Sequence, residues 1–294
     1  MSDTGCLYVA FGRPYLIQAL NSIRTLRSMS PTIPVCVLTN TLPTAPPTFS
    51  EWDHTNDHWA YLERSDRDNR SVKTDLLRYT PFSRTLYLDC DTEVASDIAP
   101  MFRFLEHWDI AVRLKEEGYA PAKEKGRQIV LDGAAAVHEL PHWNSGVILF
   151  ASNPRVEEFF ELWQHYYQIG TTSYDQVSLV EAVFRSSARI LSLDARWNAG
   201  IRWGIERPDQ QRFIVHYMHT IDDRLADTLI SLDKTVYGDQ SVTNAAQGMD
   251  TVSFVATRRR VHALKKQPRH ASIDGLQVLR RAWRKLKTVA ERCR

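Results

Sequence analysis

The sequence predicts an α/β fold, a mixed and mostly parallel Rossmann-like sheet flanked by helices. Three observations carry this. Short apolar runs at residues 6–10, 35–38, 86–88 and 147–150 alternate with stretches of helical periodicity. The first strand, a helix and the second strand follow one another within about 35 residues, the spacing of a βαβ unit. The chain has 294 residues and is 43% apolar, enough for one large domain with a sizeable core.

In chain order, residues 6–10 read as the first strand, which leaves the sheet at Phe11 and Gly12. From Tyr15 to Met29 the apolar residues Leu16, Ala19, Leu20, Ile23 and Leu26 recur on one helical face. Pro34 precedes the second strand, which ends at Thr39 and Asn40. Ligands of parallel sheets bind at the carboxyl ends of the strands. That puts Val9, Ala10, Phe11 and Gly12 on the binding edge, with Thr39 and Asn40 beside them. No Gly-x-Gly-x-x-Gly lies there, which argues against a dinucleotide fingerprint.

Residues 41–57, rich in Pro, Thr and Asp, read as loop. Ser71 is placed to cap a helix whose apolar face is Val72, Leu76 and Tyr79, and whose polar residues are Lys73, Asp75 and Arg78. Leu86, Tyr87 and Leu88 then form a buried strand that runs into Asp89 and Asp91. In an extended backbone residues i and i+2 point the same way, so these two carboxylates make one hard, doubly negative patch. Such a patch suits Mg²⁺ or Mn²⁺, and the natural task of that ion is to hold a diphosphate. The plainer reading is turn chemistry, since Asp accepts local backbone N–H groups.

Residues 94–104 read as a helix with Asp97 near its start, and 109–114 as a strand. Residues 115–140 mix charge, Gly and Pro, a length at which a loop is functional or disordered. Trp143, Asn144, Ser145 and Gly146 lead into the strand at 147–150. Pro154 opens a helix to about Gly170, and Asp175, followed by Gln176, sits where a helix cap belongs. A strand at 190–193 precedes Asp194, Arg196, Trp197 and Asn198, and a late strand at 214–216 ends in His216.

This ordered set resembles the nucleotide-sugar-dependent glycosyltransferases of the GT-A fold. It is most similar to the retaining glycosyltransferase family 8 and its relatives. The matching motifs are the helix carrying Arg78, Tyr87-Leu88-Asp89-x-Asp91, Asn144-x-Gly146-Val147, Asp175-Gln176 and the late His216, within residues 5–220. The resemblance implies a nucleotide-diphosphate sugar as donor, gripped by Mn²⁺ or Mg²⁺ on Asp89 and Asp91 with His216 as third ligand and His219 as its rival. It implies that the backbone of Val9, Ala10 and Phe11 holds the nucleotide. Asp75 and Arg78 would bind the sugar and diphosphate, an arginine fork being suited to phosphate. Asn144, Ser145 and Gly146 would admit the acceptor, a saccharide or lipid-linked hydroxyl. Asp175 and Gln176 would lie beside the anomeric carbon. A Trp-Asn pair such as Trp197-Asn198 is frequent at this place in the family, and residues 115–140 would form a flap near the acceptor. One motif is missing: the family's His-x-x-Gly-x-x-Lys-Pro-Trp is replaced after His216 by Tyr217-Met218-His219-Thr220-Ile221. The lysine that would bind diphosphate has no counterpart.

Charge divides the chain. Residues 257–294 hold 13 of the 37 Lys and Arg but 2 of the 35 Asp and Glu. The expected organisation is therefore a catalytic domain over residues 1–255 and a basic tail over 256–294. In the tail Leu276, Leu279, Trp283, Leu286 and Ala290 recur at helical spacing, flanked by Arg280, Arg281, Arg284, Lys285 and Lys287. A basic amphipathic helix suits an anionic membrane surface first, a partner helix second and nucleic acid last. No run of about 18 apolar residues exists, no secretory signal is evident at Met1 to Gly5, and the four cysteines are scattered. A cytoplasmic protein, peripheral at the inner face of the cell membrane, is expected. Against the reading of a hexose transferase in glycan biosynthesis, transferring from UDP- in preference to GDP-sugars with retention, stands a decayed GT-A domain that binds or scaffolds through its tail.

Overall fold

The structure is a computed structural model that describes residues 3–41, 57–62, 69–115, 130–131, 135–136, 141–169, 175–200, 211–218 and 223–237. The βαβ unit is present: β1 (Thr4–Ala10), α1 (Arg13–Met29) and β2 (Val35–Thr39), with Cys6 opposite Val35 in parallel register. Pro14 lies in the first turn of α1, where its missing N–H costs nothing. Gly12 before it has φ of 89°, a conformation that only glycine adopts without strain. A further strand, β3 (His58–Tyr61), pairs parallel with β2 at the sheet edge.

The predicted helix over Val72 to Tyr79 is interrupted. An α-helical turn, α2 (Asn69–Lys73), ends where the Thr74 hydroxyl donates to the Ser71 carbonyl, and a 3-10 turn (Leu76–Arg78) follows. β4 (Arg84–Leu88) then crosses the core beside β1. The helix expected over 94–104 is also different. Val94 belongs to β5 (Thr92–Val94), and a 3-10 helix (Ala99–Glu106) begins after it. Asp97 does serve that start, accepting from the Ala99 N–H at 3.0 Å.

β6 (Ile110–Leu114), the two-residue strands β7 (Val130–Leu131) and β8 (Ala135–Ala136), β9 (Trp143–Ala151), α3 (Pro154–Ile169) and α4 (Asp175–Arg185) come next. They are followed by β10 (Ile190–Leu193), a 3-10 turn (Ala195–Asn198), β11 (Ala199–Gly200), β12 (Ile214–His216) and α5 (Asp223–Tyr237). The main sheet has the order β10-β6-β9-β4-β1-β2-β3, and β9 runs antiparallel to both its neighbours. Its amino end therefore lies at the same sheet edge as the carboxyl ends of β1 and β4. A small sheet, β11-β12-β5, is set beside that edge.

Alternation along β1 feeds two cores. Cys6, Tyr8 and Ala10 pack with α1 and α5, while Leu7 and Val9 pack with Phe159, Trp163 and Leu179 of α3 and α4. Helices thus cover both faces. Cys6, Cys36 and Cys90 are buried thiols. No described helix is long and apolar enough to cross a membrane.

Candidate active site

Four elements end at one place. β4 delivers Asp89 and Asp91, the amino end of β9 delivers Asn144, Ser145 and Gly146, α4 begins with Asp175, and β12 ends at His216. The join between β4 and β9 is held by the Asp89 N–H donating to the Gly146 carbonyl at 2.8 Å. The Tyr217 N–H donates to the Asp91 carbonyl at 2.9 Å, which ties the small sheet to the same corner.

Asp89, Asp91 and His216 each offer a ligand atom, and these atoms lie within 4.8 Å of one another. His216 Nε2 is 3.2 Å from Asp91 Oδ1 and 3.7 Å from Asp89 Oδ2. The other Asp89 oxygen is occupied: Lys73 Nζ lies 2.6 Å from Oδ1, and the Tyr87 hydroxyl donates to it at 2.7 Å. One carboxylate edge is thus fixed by the protein while the second faces the imidazole. Two carboxylates and an imidazole in this arrangement fit a hard divalent cation such as Mn²⁺ or Mg²⁺.

Lys73 is the cation of the cluster. Besides Asp89 it reaches Asp175 Oδ2 at 3.7 Å, and it is buried. Burial alone would lower its pKa, but Asp89 and Asp175 outweigh that and raise it above the ordinary lysine value. Asp175 also accepts from the Ser145 hydroxyl at 2.5 Å, and its carbonyl accepts from the Trp163 indole N–H at 2.9 Å. Gln176 is engaged through its Oε1 by Lys115 at the end of β6.

No family model matches the chain. Solved structures do resemble it. The galactosyltransferase LgtC, in complex with donor and acceptor sugar analogues, aligns over 79% of this chain and 96% of its own with a TM-score of 0.54 at 12% identity. The glycosyltransferase GlyE of Streptococcus pneumoniae aligns over 92% of this chain and 67% of its own, with a TM-score of 0.55 at 15% identity. The bifunctional glycosyltransferase WbbM aligns over 88% of this chain and 52% of its own, with a TM-score of 0.56 at 13% identity. This chain has the GT-A fold.

Within that GT-A frame the expected residues fall into two groups. Asp89, Asp91, His216 and Asp175 converge, with Gln176 next to them on α4. Others are placed differently. Arg78 is exposed on the 3-10 turn after α2 and forms no ion pair with the cluster among the described residues; Asp75, half-buried, precedes that turn. The helix expected to carry Arg78 stops at Lys73, and Lys73 is the basic residue of this segment that reaches the cluster. Val9 and Ala10 are buried in β1, and only Phe11 reaches the surface, its N–H donating to Asn69 Oδ1 at 3.0 Å.

Asn144, Ser145 and Gly146 do not line an open acceptor face. Asn144 and Ser145 are 3% and 1% exposed, with their polar atoms bonded inward. Gly146 makes room for the histidine: a Cβ there would lie 2.1 Å from His216 Cε1. Two residues carry more than the sequence reading gave them, Lys73 and Asn198, whose Oδ1 lies 2.9 Å from His216 Nδ1. The Trp-Asn resemblance was the one signal for Asn198. His219, most of the 115–140 flap and the basic tail lie outside the described residues.

Proposed function

We propose that this chain is a metal-dependent glycosyltransferase that moves a hexose from a nucleotide-diphosphate sugar, UDP- in preference to GDP-linked, to a saccharide or lipid-linked hydroxyl. The observation that carries the reading is the convergence of Asp89, Asp91 and His216 at the carboxyl edge of a GT-A sheet. When bound, the cation supplies positive charge against the diphosphate oxygens of the leaving nucleotide. Asp89, Asp91 and His216 hold it. Lys73, charged and water-excluded, neutralises Asp89 and Asp175 and so keeps an anionic donor from meeting uncompensated carboxylates. Donor specificity then rests on the surface around Phe11, Asp75 and Gln176.

Retention of configuration is the stereochemical reading. An inverting enzyme needs a carboxylate base within reach of the acceptor hydroxyl. Asp175, the candidate, is 4% exposed and already accepts from Ser145 and pairs with Lys73. It is better suited to holding Lys73 and Ser145 in place behind Gln176 than to taking a proton. The basic tail is proposed to bring the enzyme to an anionic membrane surface at the cytoplasmic face, where a lipid-linked acceptor in glycan assembly would lie.

The test is incubation with UDP- and GDP-sugars, with Mn²⁺ or with chelator, followed by assay of released nucleotide and of sugar transferred to saccharide acceptors. Metal-dependent release from one donor supports the proposal. The missing Lys-Pro-Trp motif favours the second reading, a binding protein on a decayed GT-A domain. Nucleotide binding with no release under any condition would select it.

A further inference from the structure

Behind His216 runs a buried line of amides. The Gly146 backbone N–H donates to Asn144 Oδ1 at 2.8 Å. The same oxygen accepts from Asn198 Nδ2 at 3.3 Å. Asn198 Oδ1 then faces His216 Nδ1 at 2.9 Å. Asn198, Asn144 and His216 are 0%, 3% and 5% exposed, so water does not substitute for these partners.

The direction of the line is set at one end. A backbone N–H can only donate, so the Asn144 oxygen, and not its NH₂, faces Gly146. That oxygen can only accept, so the Asn198 NH₂ turns to it and the Asn198 carbonyl oxygen turns to the imidazole. A carbonyl oxygen can only accept, so the proton on that side of the ring belongs to Nδ1. In the neutral ring Nε2 is then the lone-pair nitrogen, and Nε2 is the atom that faces Asp91 and Asp89.

We propose that Asn198, oriented by Asn144, is a positioning residue that fixes His216 in the Nδ1–H tautomer and so presents the Nε2 lone pair to a divalent cation held with Asp89 and Asp91. The inference rests on the metal-dependent reading above. Without the Asn198 acceptor, the neutral ring would place its proton on Nε2, where Asp91 Oδ1 accepts it at the observed 3.2 Å, and the ligand atom would be blocked. The support is rigid. Asn198 closes the 3-10 turn Ala195–Asn198, and its own carbonyl accepts from the Arg113 guanidinium. A hydrogen-bonded partner behind a metal-ligating histidine is worth roughly 10- to 100-fold in metal affinity.

The experiment uses the full chain with ¹⁵N-labelled histidine, together with Asn198→Leu, Asn198→Asp and Asp91→Ala. Free Mn²⁺ is followed by electron paramagnetic resonance during titration. Imidazole ¹⁵N spectra are recorded without metal at a pH where the ring is neutral. Wild type is expected to show a protonated Nδ1 and a bare Nε2. Asn198→Leu should bind Mn²⁺ about 10- to 100-fold more weakly and shift its proton to Nε2. Asn198→Asp keeps an acceptor toward Nδ1 but sets its second oxygen against Asn144 Oδ1, so its expected signature is a proton retained on Nδ1, which a loss of packing alone would not give. Mn²⁺ affinity unchanged in Asn198→Leu, or a wild-type ring protonated on Nε2, would overturn the proposal. The wild-type spectrum decides even if the leucine variant does not fold. If wild type takes up no Mn²⁺, the metal-dependent reading fails, while the spectrum still judges the tautomer.

Discussion

The Lys73 ammonium lies 2.6 Å from Asp89 Oδ1, which makes an internal cation the partner of a carboxylate that also belongs to the candidate metal site. Lys73→Met would remove the cation that Asp89 and Asp175 share and leave them the Tyr87 and Ser145 hydroxyls. The expected loss is about 3 kcal/mol, the low end for breaking a buried pair because Asp89 keeps a side open to solvent. Mn²⁺ should restore part of it. Chemical denaturation of wild type and variant, each with and without Mn²⁺, checks this, and a larger metal-induced gain in the variant is the predicted signature.

Gly146→Ala should damage the candidate metal site more than the fold. The added Cβ would meet the His216 ring at 2.1 Å and push Nε2 away from the aspartates. Mn²⁺ affinity is expected to fall at least about 10-fold. Gly5→Ala serves as the comparison, because its Cβ would strike the Phe82 ring at 2.4 Å, in the core under α3. That variant should lose stability by about 1–3 kcal/mol with Mn²⁺ affinity little changed. Parallel melting curves and Mn²⁺ titrations of the two variants separate the effects.

The metal-free chain should lose stability as pH rises. Burial alone would lower the His216 pKa, but Asp91 and then Asp89 outweigh it and hold it above the ordinary 6.5. A folded-state pKa raised above the unfolded value gives stability that is complete below the unfolded pKa. It is lost as pH climbs through the folded one. Melting temperatures in chelator should therefore fall from about pH 6.5 upward, and His216→Asn should flatten that slope. On the metal-dependent reading Mn²⁺ competes with the Nε2 proton, so it should stabilise most at the alkaline end of the same window.

Acid should unfasten a different corner. Asp109 is buried and accepts from Arg155 at 2.8 Å and from Arg189 at 3.0 Å, and these bonds, Arg155 foremost, hold its carboxyl well below the usual carboxylate range. The stability from a depressed carboxylate is present above its unfolded pKa and lost as pH falls through the folded one. Asp109→Asn should cost about 2 kcal/mol at neutral pH. The gap between variant and wild type should close as pH drops below about 4. Urea unfolding at several pH values measures it.

Much of the fold was legible because buried strands announce themselves as apolar runs. β1, β2, β4, β6 and β9 all lie where such runs stand. β3 did not, since its burial alternates and, at the sheet edge, its one strand neighbour among the described residues is β2. The local sequence puts Val94 in a helix because its strand partner, Ile214, is far away in sequence. The Asp-x-Asp pair was readable from local geometry. Lys73 and Asn198 were not, because their roles exist only once the chain is folded. Asn198 and Asn144 stand 54 residues apart, and Gly146 gains its meaning from the His216 ring filling the space above it.

The most direct test of the central claim is calorimetric titration of the full chain with UDP and with GDP, each with and without Mn²⁺, on wild type and Asp91→Ala. The account predicts that one nucleotide binds wild type only when Mn²⁺ is present, and that Asp91→Ala abolishes that binding. Absence of binding to both nucleotides under every metal condition, or binding that survives in Asp91→Ala, would contradict it.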